Sequence, residues 1–166
     1  MVVQKAGIIP GSTSGTWQGI ATSCHFATFF WLYWDEFGEL PTVDIFFRIG
    51  NPNTVINHML PFGRILQKPA QGSVSFTSGS VLIFAENGQA GHSCIALDSR
   101  TIAGYNQENW FKTPGKNHGF TTHLNSDIEW QGSNEINRYK KTYKLYMVPE
   151  AMAKAVVLNM SLTGRI

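Results

Sequence analysis

The sequence predicts an α+β domain in which one early, buried helix, carrying a cysteine at its start, packs on an antiparallel β-sheet. Three observations point there. An apolar run over residues 26–37 is long enough for a buried helix and has cap residues before it and a glycine after it. Between 81 and 105, three short β-prone runs are separated by turn signals. Charged residues make up only 14% of the chain while there are 16 glycines, which suits a turn-rich body with a sheet better than a helical bundle. A chain of 166 residues, 43% of them apolar, can bury one core, so a single domain spanning 1–166 is expected.

Residues 1–16, rich in Gly, Ser and Thr around Pro10, read as an irregular lead-in. The first helix should start at Thr22 or Ser23, since either can accept a bond from an unpaired N–H of the first turn. It should end at Gly38, suited to the left-handed cap, with Pro41 confirming the break. The run 42–50 fits a strand or the start of a helix equally well, and 53–66 reads as a short helix and a turn at Pro61 and Gly63. A polar, Gly-containing loop covers 67–80. Strands then follow at 81–85, 92–97 and 101–105, the first two joined by a turn at Asn87-Gly88. Further strands are expected at 117–124 and 139–148. In the second of these, Tyr139, Tyr143 and Tyr146 alternate with lysines, an edge or half-exposed pattern. Pro149 opens a closing helix over 150–160.

Bulk charge narrows the function. The net charge is +2, and no basic run exceeds Lys140-Lys141, so a nucleic-acid partner is not expected. A mildly basic chain suits an anionic substrate such as bacterial cell wall. The start, Met1-Val2-Val3-Gln4-Lys5, lacks the basic, apolar and cleavage regions of a secretory signal. That predicts a protein that is cytoplasmic until exported by a signal-independent route. Residues 26–37 are too few for a membrane span and include Asp35 and Glu36. The two cysteines, Cys24 and Cys94, form no disulfide framework, and Cys94 in its apolar strand reads as a buried small hydrophobe. His118, His123 and Asp127 lack the spacing of a metal site, so neither metal nor cofactor is expected.

Cys24 is the residue with chemical promise. A thiol at a helix N-terminus lies in the positive field of unpaired N–H groups, which favours thiolate. His92 comes later in strand context and Asn106 after it, and the order Cys, His, Asn supplies a nucleophile, a base and a group to orient the base. Asp98, Asn109 and Asp127 are rivals for the third place. His25 would point away from the site and serve packing or the rim. If Cys24 is activated, alkylation should be rapid below about pH 7 and should spare Cys94.

These segments resemble the papain-like cysteine hydrolases. The segments Ser78-Gly79-Ser80-Val81-Leu82-Ile83-Phe84 and Gly91-His92-Ser93-Cys94-Ile95-Ala96-Leu97 are similar to the small bacterial branch, the NlpC/P60 and CHAP amidase-endopeptidases. Tyr105-Asn106-Gln107-Glu108-Asn109-Trp110 is similar to the CHAP segment carrying the third residue. An interval of 68 residues from Cys24 to His92 fits this compact branch. Ser80 stands where the branch usually has an acidic residue, and Thr22-Ser23-Cys24-His25 replaces the Gly-Ser-Cys-Trp surround of papain-like proteases.

The resemblance implies that Cys24 attacks an amide carbonyl while His92 shuttles the proton and Asn106 orients the imidazole. It implies an oxyanion hole from Gln18, six residues before the cysteine, and the Cys24 N–H. Trp17 and Trp110 are candidates for the substrate groove. The expected activity is a cysteine amidohydrolase or endopeptidase on cell-wall peptides, as an injected effector or a lysin. The rival enzyme is a protease or glutamine deamidase toxin acting on a target-cell protein, for which an inhibitor or immunity protein is a candidate partner. From another class comes a non-catalytic binding domain that retains the fold.

Overall fold

The computed structural model describes residues 23–106, 110–112, 119–138 and 140–163. Helix α1 (Cys24–Phe37) begins at Ser23, whose hydroxyl accepts from the Phe26 N–H, and stops at Gly38, left-handed at φ 74° and donating to the Trp34 carbonyl. The ambiguous run 42–50 is helical: α2 spans Val43–Ile49, with Asp44 in its first turn and Arg48 in its last, matching the helix dipole. Helix α3 (Pro52–Met59) is capped by the Asn51 side chain and runs into a 3₁₀ turn, Leu60–Phe62. Helix α4 (Glu150–Thr163) closes the described chain.

The strands are β1 (Arg64–Ile65), β2 (Val81–Glu86), β3 (Gln89–Ala96), β4 (Thr101–Asn106), β5 (Gly119–Leu124), β6 (Ile136–Arg138) and β7 (Lys141–Val148). Their order is β1-β7-β2-β3-β4-β5, with β6 pairing to β7, and every ladder is antiparallel. The fold class is therefore α+β, as expected. Asn87 and Gly88, at φ 51° and 75°, make the tight β2–β3 turn that their dipeptide signals. Strand β7 is no edge: β2 lines one side of it and β1 and β6 the other, so its tyrosine–lysine alternation reports two unlike faces.

Both faces of the central sheet are buried. Val81, Ile83, Ala85, Ile95 and Val148 pack under α1, α3 and α4 with Phe29, Phe30 and Trp31. On the far face Leu82, Phe84, Cys94, Ile102 and Leu145 are covered by Val74, Phe76, Trp110, Phe111 and Ile128 from connecting segments. That is why β2 reads as an unbroken apolar run rather than an alternation. No helix among the described residues is long and apolar enough to cross a membrane.

Candidate active site

The site lies where the first turn of α1 meets β3. Two irregularities in β3 shape it. The first is a bulge: Phe84 pairs with His92 and Ala85 with Ala90, so Gly91 is an extra residue that reverses the facing of the residues beyond it. A Cβ on Gly91 would stand 2.8 Å from Tyr143 Cε1, so only glycine fits under that ring. Past the bulge, Ser93 faces α1 while His92 faces the opposite side of the sheet, among Phe84, Trp110 and Phe111. The second irregularity is a splay. Strands β3 and β4 pair only at Ile95–Ala103 and Ala96–Ile102, although β3 begins at Gln89 and β4 continues to Asn106. Ala96 donates toward β2 at Ser80 and Leu97 toward Thr101. By the two-residue period, the Ser93 N–H points into the open gap beside β4.

Cys24 occupies that gap. Its side chain is half-buried, and the nearby backbone N–H groups of Ser93, His25 and Cys24 favour the charged form of the sulfur. Burial pushes the thiol above its ordinary range, while these donors and the positive charge of Arg138 pull it back. The net displacement is upward, so a helix N-terminus alone does not deliver a standing thiolate. Cys94 is the opposite case: fully buried, its Sγ 3.9 Å from the Leu82 carbonyl, and pushed well up by burial. One thiol lies beside an open strand gap and the other rests on an acceptor. Both are free.

His92 is buried, its ring stacked at 4.8 Å and 12° on Trp110, which carries the Arg138 guanidinium 4.0 Å above its centroid on the other face. Trp110 is thus sandwiched in the core and does not wall an open groove. Ser93, the next residue, touches Cys24 directly, so the structure brings the cysteine and the His92 backbone together on adjoining elements. Asn106 ends β4 opposite Gly119, on the strand that diverges from β3.

Two rivals for the third role have other work. Asp98 accepts from the Arg100 and Thr101 N–H groups at 2.8 and 2.7 Å, forming the β3–β4 turn, and Asp127 accepts from the Leu124 N–H at 3.0 Å. Trp17, Gln18, Asn109 and His118 lie outside the described residues. His123 bonds Thr121 Oγ1 at 2.9 Å and stacks on Phe111, and no group of metal-binding side chains occurs among the described residues.

Chain comparisons add no relative. No protein-family model, curated protein or solved structure matches this chain.

The polar cluster that sequence reasoning missed sits directly beneath the thiol. His25 is buried, with Nδ1 2.7 Å from Ser93 Oγ, and Ser93 Oγ is also 3.0 Å from Thr28 Oγ1 and 3.4 Å from the Cys24 carbonyl. Burial depresses the imidazole to about 4, only partly offset by the Ala90 carbonyl that accepts from the ring. His25 is therefore neutral at physiological pH; of the two expected roles it takes packing rather than the rim, with its ring hydrogen-bonded to Ser93. One signal was available: a histidine in a helix that is apolar on nearly all sides must be buried, and a buried imidazole needs partners.

Proposed function

We propose that this protein is a papain-like cysteine amidohydrolase or endopeptidase, with Cys24 as nucleophile and His92 as base, acting on peptide-type amides of bacterial cell wall. The observation that carries the reading is the placement of Cys24, half-buried at the start of α1 beside the open β3–β4 gap, where neighbouring backbone N–H groups favour the charged sulfur. A neutral thiol is a weak acceptor and uses such donors poorly. A thiolate, and then the oxyanion of a tetrahedral intermediate, uses them well.

Because burial holds the proton on sulfur, the scheme requires His92, whose ring lies on the far face of the sheet, to take that proton through the gap between β3 and β4. The thiolate attacks the amide carbonyl, and electrons pass to its oxygen, which the Cys24 N–H and Gln18 receive. The C–N bond then breaks, the amine leaves with the proton from His92, and a thioester remains on Cys24. Water, deprotonated by His92, attacks the thioester, releasing the acid and restoring the thiol. Asn106 orients the imidazole in this scheme. Neither metal nor cofactor is required by any step.

The test is to incubate wild-type protein and Cys24→Ser with cell-wall sacculi and to read soluble products by mass spectrometry. Stem-peptide fragments released by wild type alone are expected, and the bond cut names the activity. Release by both proteins equally would remove Cys24 from the chemistry. No release from a protein whose Cys24 still alkylates would turn the search to protein substrates, as for a protease or deamidase toxin.

A further inference from the structure

The residues next in sequence to the two proposed catalytic groups, His25 after Cys24 and Ser93 after His92, are bonded to each other across the helix–sheet contact. We infer that this His25–Ser93 pair is a positioning clamp that sets the approach of Cys24 to His92, an inference that rests on the catalytic reading above. It touches no substrate; it acts through the two groups it holds.

The geometry is unusually restrictive. His25 lies against β3, with Nδ1 2.7 Å from Ser93 Oγ and the Ala90 carbonyl near enough to favour a proton on the ring. The ring therefore bridges the strand on either side of Gly91 and His92, the bulged pair that aims the base. Nδ1 and Ser93 Oγ share one hydrogen bond whose direction follows the ring tautomer. Ser93 Oγ–H donates toward Thr28 Oγ1 at 3.0 Å and toward the Cys24 carbonyl at 3.4 Å, which ties the cluster to the first turn of α1.

A bland alternative is that three polar side chains merely fasten a helix to a sheet. Apolar residues of like volume would do that without the desolvation cost of burying an imidazole and two hydroxyls. What a satisfied polar cluster adds is a fixed geometry. Here the geometry is that of the turn bearing the thiol and the bulge bearing the base. Placement matters at that scale, since a shift of about 1 Å in a reacting group costs roughly 10²-fold in rate.

The experiment reads the pH profile of Cys24 alkylation by iodoacetamide in the full chain. Among the described residues, the titratable and charged groups around the thiol are His25 on α1, His92 and Cys94 on β3, and Arg138 on β6. Wild type is compared with His92→Ala, Ser93→Ala, His25→Leu and the Ser93→Ala/His25→Leu double variant, each checked for a cooperative melt. Expected is a displaced midpoint for His92→Ala and a displacement in the same direction, at least half as large, for each clamp variant. The double variant should move no further than either single one, since one bond is being removed. On a cleaved wall peptide, Ser93→Ala should lower kcat by at least about tenfold with KM within about twofold.

Clamp variants that melt earlier but keep the wild-type profile and kcat would overturn the clamp while leaving the catalytic reading intact. A His92→Ala profile identical to wild type would instead overturn the catalytic reading, and the clamp with it. Should Ser93→Ala not fold, His25→Leu alone decides.

Discussion

Lowering the pH from 8 to 5 turns the burial of His25 into a number. The unfolded imidazole protonates around 6.5, whereas the folded one resists until about 4. Below 6.5 the unfolded chain therefore binds a proton that the native state refuses, and stability falls as pH falls, levelling off only below the folded value. Linkage between those two values gives a loss of about 2 kcal/mol between pH 8 and 5, approaching about 3 kcal/mol at the acid limit. His25→Asn isolates this contribution: asparagine offers Ser93 an acceptor and does not titrate. The carboxylates of Asp35 and Asp98, held low by Lys154 and by backbone donors, titrate in both proteins and cancel in the difference. Urea unfolding of both proteins at each pH supplies the four free energies. The variant should be the less stable at pH 8 and should lose about 2 kcal/mol less on acidification. Parallel losses, within about 0.5 kcal/mol, would mean that His25 is solvated or charged in the native state and would refute the argument.

The same region yields two smaller predictions. Gly91→Ala forces its methyl against Tyr143 and should destabilise by about 1–3 kcal/mol by thermal melt, with Gly91→Ala/Tyr143→Leu recovering most of the loss. In native protein, iodoacetamide should modify Cys24 alone, at a rate that climbs with pH because burial raises its thiol, and Cys94 should react only in denaturant, as peptide mapping would read. That replaces the expectation of fast labelling below about pH 7, which took account of the helix dipole but could not take account of desolvation.

The frame was legible wherever a local signal had one physical meaning. Ser23 and Gly38 bound α1 because a cap hydroxyl and a left-handed glycine have few other uses at those positions. Asn87-Gly88 likewise fixed the β2–β3 turn. The run 42–50 could not be read because its apolar residues do not segregate: Ile49 is buried while Val43 and Phe47 are 65% and 82% exposed. The placement of β7 between β2 and β1 was hidden for another reason. Pairing Arg64 with Met147 joins residues far apart in the chain, and nothing local in either strand encodes the partner. The site divides the same way. Cys24 and His92 stand out by type and order, but the facing of His92 depends on one inserted glycine, and a single-residue bulge reverses every side chain after it.

What distinguishes this sheet is where its ladder stops. Strands β3 and β4 could go on pairing past Ile95 and Ala103, and each lost pair leaves backbone donors that must be met elsewhere. At Ser93 the freed N–H faces the Cys24 thiol, a poor acceptor when protonated, and favours its charged form. A fold selected only for stability would close that gap with a peptide carbonyl and fill the first turn of α1 with an apolar side chain. Instead the gap holds a thiol, and the chain buries a neutral histidine bonded to Ser93 just past the bulge. On the proposed catalytic reading, both departures serve the state in which negative charge develops at Cys24. In that proposal the splay leaves the Ser93 N–H open to the charge, and the His25–Ser93 bond holds the turn against β3 as the charge forms.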